Sequence, residues 1–216
     1  DTGVNSQEGK KLLAEIRRIS AAPVRYIVNT HYHPDHRAGN SVVGPEAAII
    51  STAFTRDQQA GQSEAYPTNA IPLVFTGHLT LYLGTYEVEI FGPGPAHTRG
   101  DAVVYFPSQH AVATGDLFLT NSCPAMDDGD MENWISALDS ILALDAETFV
   151  PGHFEVAQRQ QLQRFRSYLA ALRDQVKPRF AAGLLLSRIQ SELELTAYRD
   201  FRQFPQYEAT FADNSA

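Results

Sequence analysis

The stretch Thr30-His31-Tyr32-His33-Pro34-Asp35-His36 constrains this chain more than any other. It follows Val24-Arg25-Tyr26-Ile27-Val28, a β-prone apolar run that reads as a buried strand. Imidazole nitrogen and carboxylate oxygen are the usual ligands of Zn²⁺ and related first-row divalent ions. In an extended His-x-His, both rings lie on one side of the chain and can reach one ion. Asp35 and His36, on the turn that follows, can face a second. A lone histidine is usually structural, but this cluster at the C-terminal end of a strand sits where an open α/β sheet places its site.

The rest of the chain supplies strands and helices in two runs. Helical spacing of Leu12, Leu13, Ile16 and Ile19 predicts a helix over 6–20, with Ser6 as its N-cap. Gly39-Asn40 reads as a turn, 47–50 as a strand, and Ser51 as the cap of a helix reaching about Gln62. A polar loop is expected over 63–70. Strands are expected at 71–75, 79–83 and 86–91, the last two joined by Gly84-Thr85. Asp101 to Phe106 and Ala111 to Thr114 predict another hairpin, ending at Gly115-Asp116 before a loop over 120–131. A helix over 132–144, a strand over 148–150 and a helix over 157–176 ended by Pro178 come next. Two short helices near 180–191 and 196–203 and an irregular last dozen residues complete the chain. No linker or repeat divides it, so a single domain over 1–216 is expected, in the α/β class, with two sheets inside and helices outside.

Four loops at strand ends carry the candidate ligands: 31–36, His97, Asp116 and His153. The simplest division assigns His31, His33 and His97 to one ion and Asp35, His36 and His153 to a second. Asp116, with two oxygens, can bridge them. Three protein ligands per ion leave room for water, which marks a catalytic site and not a closed structural one. Water held between two such ions has its pKa lowered toward neutral, giving a hydroxide nucleophile without Ser or Cys. Asp35 is the candidate catalytic residue, orienting that hydroxide and passing a proton to the leaving group.

The set His31-x-His33-x-Asp35-His36, His97-Thr98-x-Gly100-Asp101, Thr114-Gly115-Asp116 and Pro151-Gly152-His153 resembles the metallo-β-lactamase superfamily in order and spacing. The resemblance implies a four-layer αββα sandwich with a dinuclear site at the sheet edge. Asp116 is similar to the bridging aspartate of its glyoxalase II-like hydrolases, and the whole looks like the SoxH-related metallohydrolases. Two features depart from that pattern. Members carry strands before the Asp-x-Gly turn, which here opens the chain as Asp1-Thr2-Gly3. The first strands of the sandwich are thus expected to be lacking, with the exposed edge pairing to a second copy or marking a shortened form. Phe154 follows Pro-Gly-His where members often have Gly, and its ring is expected to narrow the pocket.

The expected function is hydrolysis of a small ester, thioester, lactone or lactam by a hydroxide bridging two zinc ions, with iron or manganese as possible substitutes. The alternatives are a mononuclear iron, persulfide dioxygenase-like oxidoreductase and a non-catalytic metal-binding module. A net charge of −8 with no Lys/Arg-rich run argues against nucleic acid as a partner. No apolar run approaches the roughly 20 residues of a membrane span, and no signal peptide is visible. A soluble protein acting on a small molecule is expected, cytoplasmic or periplasmic. The single cysteine, Cys123, rules out an internal disulfide and is expected to be a spectator thiol. His78 and His110 match no ligand position. Asp101 and Asp1 are each expected either to steady a ligand imidazole or to cap a turn. Tyr32 and Arg99 are rim candidates, Trp134 is expected in the core, and Asp128 or Asp130 either overhangs the site or caps a helix.

Overall fold

The computed structural model describes residues 1–62 and 73–202. The loop expected at 63–70, the start of the strand expected at 71–75 and the irregular last dozen residues lie outside the described residues.

Two sheets form the interior. Strands β1 (Tyr26–Val28), β2 (Ala48–Thr52) and β3 (Leu73–Phe75) are parallel, in the order β1-β2-β3. Strands β4 (His78–Leu83), β5 (Tyr86–Phe91), β6 (Val103–Phe106), β7 (Ala111–Leu119) and β8 (Thr148–His153) form the second sheet in sequence order. Its pairs are antiparallel except β7 with β8. In β5, Val88 and Ile90 alternate inward with Glu87 and Glu89, the period-2 pattern of a half-buried strand. Ile50 and Phe75 of the first sheet pack against Val88, Ile90 and Val104 of the second, so an apolar layer joins the sheets.

Helices cover both outer faces. Helix α1 (Ser6–Ile19) and the one-turn α3 (Asn40–Val43) lie on the first sheet, over Ile27, Val43 and Ile49. Between β1 and α3 comes another one-turn helix, α2 (Pro34–Arg37), and α4 (Ala53–Gln62) follows β2. Helices α5 (Met131–Leu142) and α6 (Arg159–Ala181) cover the second sheet, enclosing Trp134, Leu138, Phe149, Phe165 and Leu169, and α7 (Leu186–Ser191) packs against α6. The layers run helix, sheet, sheet, helix, as the αββα expectation requires.

Several boundaries differ from the sequence reading. Asn5, not Ser6, caps α1: its extended backbone (φ −163°) lets its side chain accept from Gln7 and Glu8 N–H. Ile19 of α1 is exposed, so its apolar face is only partly covered. Ser51 belongs to β2, and Thr52 Oγ1 instead accepts the Thr55 N–H at the start of α4. Gly39-Asn40 opens α3, not an open turn. Pro178 lies inside α6: it is exposed, so the one carbonyl left without its N–H faces water, and the Arg179–Glu192 ion pair holds the last turn. The region expected as helix 196–203 is a single 3₁₀ turn at Thr196–Tyr198. Strand β7 does not stop at Gly115-Asp116. It bulges there, with register shifts on both sides of Gly115, and continues to Leu119.

Candidate metal centre

Local geometry aims the cluster. His33 stands in the N-cap position of α2 with extended backbone, and Pro34 opens the helix. His31 therefore lies in the bend after β1 and His33 on extended chain, while Asp35 and His36 occupy the first turn. Asp116 enters from the β7 bulge: Gly115 takes φ +53°, and a Cβ there would strike the Thr30 side chain. His153 ends β8. Gly152 before it is required by contact, since a Cβ would overlap Asp116 Oδ1.

All seven expected residues converge. His31, His33 and His97 form one group in which one ligand atom of each lies within 4.8 Å of the others, as do Asp35, His36 and His153, and His31, His36 and Asp116. His33 Nδ1 lies 3.0 Å from His31 Nε2 and 3.2 Å from His97 Nε2. His36 Nε2 faces His153 Nε2 at 3.2 Å, and Asp35 Oδ2 lies 3.1 Å from His153 Nε2 and 3.3 Å from His36 Nε2. Asp116 stands between the groups, 3.3 Å from His36, 3.5 Å from His153 and 3.6 Å from His97. His31, His36, His97 and Asp116 are buried, and Asp35, His33 and His153 border the opening.

This donor set fits a metal ion. His33 Nδ1 faces two further ring nitrogens, His36 Nε2 faces that of His153, and Asp116 Oδ1 is buried among them with no hydrogen-bond partner. Ligands held about 2.0–2.1 Å from a tetrahedral ion are themselves about 3.3 Å apart. The outer nitrogens are anchored elsewhere: His31 Nδ1 on Thr30 Oγ1 (3.1 Å), His36 Nδ1 on Asp1 Oδ2 (3.0 Å), and His33 Nε2 on Asp128 Oδ2 (3.2 Å). Asp1 also accepts from Thr30 N–H and Oγ1–H. Such outer partners set which imidazole nitrogen points inward.

The electrostatics divide the site. Burial opposes charge on His36, but Asp116 and Asp35 outweigh it and raise its pKa to about 9. Hydrogen bonds to Asp116 and Asp35 raise His153 to about 9. In return, His153 and His36 hold Asp35 well below the usual carboxylate range, and they hold Asp116 low against the cost of its burial. His97 lacks a comparable balance, and burial pushes it down to about 4.

The neighbours divide between the roles the sequence left open. Asp1 steadies a ligand imidazole, whereas Asp101 caps the Thr98 turn, accepting from Thr98 N–H and Oγ1–H. Asp130 caps α5. Asp128 overhangs the site, taking the Tyr32 hydroxyl as well as His33. Its contact with His33 was not legible in the sequence, because 95 residues separate the two. Arg99 lies over the Phe54 ring. Trp134 is core, as expected, its Nε1–H donating to Leu117 O, but its ring also backs His97 at 5.2 Å. His78 and His110 pair with Glu89 and Asp145, away from the ligand groups. Cys123 belongs to none of these groups. It is buried and lines the cavity of about 250 Å³ onto which the ligands open.

A model of the metallo-beta-lactamase superfamily matches residues 1–153. The chain belongs to the metallo-beta-lactamase superfamily. Among superfamily relatives, the 2,4-dinitroanisole O-demethylase subunit alpha of Nocardioides sp. is 28% identical over 65% of this chain and 44% of its own length. A hydroxyacylglutathione hydrolase of Synechococcus sp. is 28% identical over 68% of this chain and 56% of its own. A linear primary-alkylsulfatase of Pseudomonas sp. is 23% identical over 90% and 47%. The chain thus spans about half the length of the curated relatives it matches. Of solved structures, a metallo-beta-lactamase from Pontibacter korlensis superposes with TM-score 0.69 at 26% identity, covering 79% of this chain and 80% of that one. The sec-alkylsulfatase Pisa1 from Pseudomonas sp. shares the fold, with TM-score 0.72 at 14% identity over 90% of this chain and 40% of that one. Among the described residues, no helix of this superfamily member is long and apolar enough to cross a membrane.

Proposed function

We propose that the chain is a metal-dependent hydrolase acting on a small ester, thioester, lactone or lactam. The observation that carries this reading is the placement of Asp116 between two histidine-rich groups, each open to one cavity. Superfamily relatives named as hydroxyacylglutathione hydrolase and alkylsulfatase support it. In this reading His31, His33 and His97 would hold one zinc ion, Asp35, His36 and His153 would hold a second, and Asp116 would serve both. When bound, such a pair of ions makes a shared water nucleophilic near neutral pH and polarises the substrate carbonyl. Asp35, at the opening of the site, accepts a proton from the attacking water at its carboxylate and returns it to the leaving group. The buried ring of His31 and the Trp134 indole behind His97 exclude bulk water from the inner group.

Elemental analysis of protein purified without added metal tests the reading. Close to two zinc ions per chain, with turnover on an ester, lactone and lactam panel, is expected. One iron per chain with oxygen uptake on a persulfide would replace it with the redox reading. Metal without turnover on either would favour a binding module. We also propose that two copies pair through the β1 edge of the first sheet, which no further strand covers among the described residues; a monomer by sedimentation equilibrium refutes that pairing.

A further inference from the structure

Phe154 holds a backbone conformation that L side chains rarely adopt, with φ +76°. It directly follows His153, and its ring stands at the cavity mouth, 45% exposed. A bulky residue stays in this region only where its surroundings over-determine it. Here the clamp is Arg202. The guanidinium lies 4.5 Å from the Phe154 ring centroid and donates to both Glu155 oxygens, at 2.7 and 2.9 Å. The backbone of the same residue is laced to the opposite wall: Arg202 N–H donates to Asn121 O at 2.8 Å, and Cys123 N–H donates to Arg202 O at 3.2 Å. One residue thus ties the 121–123 segment to the ring after the last metal-ligand candidate. Arg202 and Phe154 both lie beyond the residues matched to the superfamily.

The wall so formed is mostly apolar, with Ser122 its one hydroxyl. Besides the ligand side chains, the cavity meets Leu119, Ser122, Cys123, Ala125 and Phe154, and burial keeps the Cys123 thiol neutral by raising its pKa. Its volume of about 250 Å³ falls below the roughly 300–1,000 Å³ of sites that enclose drug-sized ligands. We propose that Phe154, clamped by Arg202, is a specificity-determining residue that limits the substrate group beside the metal ligands to a short apolar chain. This rests on the hydrolase reading for the identity of the group, but not for the existence of the wall.

The variants Phe154→Gly and Arg202→Met test it, with two readouts on zinc-loaded protein. Glycine accepts the positive φ, so Phe154→Gly is expected to melt no lower than wild type. Arg202→Met lies away from the ligands and carries the test if Phe154→Gly loses metal. Cys123 is the chain's single cysteine, so iodoacetamide reads one site inside the cavity. Both variants are expected to be alkylated several-fold faster than wild type. On straight-chain p-nitrophenyl esters from acetate to octanoate, wild type is expected to lose about tenfold or more for each excess methylene, and the variants less. Alkylation at the wild-type rate in both variants overturns the wall. Faster alkylation with an unchanged chain-length order overturns its role in specificity. If wild type cleaves no ester while alkylation accelerates, the hydrolase reading fails and the wall stands. Chain-length order is then read from calorimetric binding of the matching carboxylates: a weaker length penalty in the variants upholds the role in specificity, and an unchanged order overturns it.

Discussion

Asp116 meets three ligand imidazoles within 3.6 Å, two of which, His36 and His153, are raised to about 9. At neutral pH both therefore carry protons in the metal-free protein, neutralising Asp35 and Asp116. A bound ion must displace those protons. Metal binding at pH 7 is accordingly expected to release about two protons per chain, read as the dependence of calorimetric heat on buffer ionisation enthalpy; no release would contradict the pairing. The same shifts set the stability of the metal-free protein. His36 and His153 are raised on folding, so their contribution is complete below the unfolded histidine value and is lost as pH rises toward about 9. His97 is depressed, so its contribution is lost as pH falls toward about 4. Metal-free protein should thus melt highest between these limits in a pH series. Asp128 acts through His33, whose outer nitrogen it holds. Asp128→Ala should weaken metal affinity by about 10–100-fold, measured by competition with a chromophoric chelator, with the melting temperature of metal-free protein little changed.

At the scale of the element, the site depends on strands that deviate from regularity. β7 bulges at Gly115 and so turns Asp116 inward before the strand resumes. β8 pairs in parallel with it and brings Gly152 against Asp116 Oδ1. The two glycines relieve separate clashes: a Cβ at Gly115 would strike Thr30, and one at Gly152 would overlap Asp116 Oδ1. Gly152→Ala is expected to push Asp116 and His153 apart and lower metal content, while far-UV circular dichroism stays native; full metal content would show that β8 can shift without cost. The α2 segment makes the complementary contribution. Pro34 starts a helix directly after His33, converting extended chain to helix between the ligands of the two groups.

For the whole molecule, the apolar layers and the ligand groups are separate. The cores under α5 and α6 and between the sheets close without any metal-ligand side chain. Chelation is expected to lower the melting temperature by the lost binding free energy while leaving the circular dichroism spectrum folded; complete unfolding would make the metal part of the core. The seven ligand candidates and the strand–helix alternation were legible in the sequence because side-chain chemistry and local spacing are written along the chain. His31, His33, Asp35 and His36 lie within six consecutive residues, and β5 carries its own alternation. What the tertiary structure alone decided are contacts between distant positions: Asp128 on His33, Trp134 behind His97, Arg202 across Phe154, and the bulge that aims Asp116. No local propensity encodes these, since each exists only after two sheets and their covering helices have brought separate segments within a few ångströms.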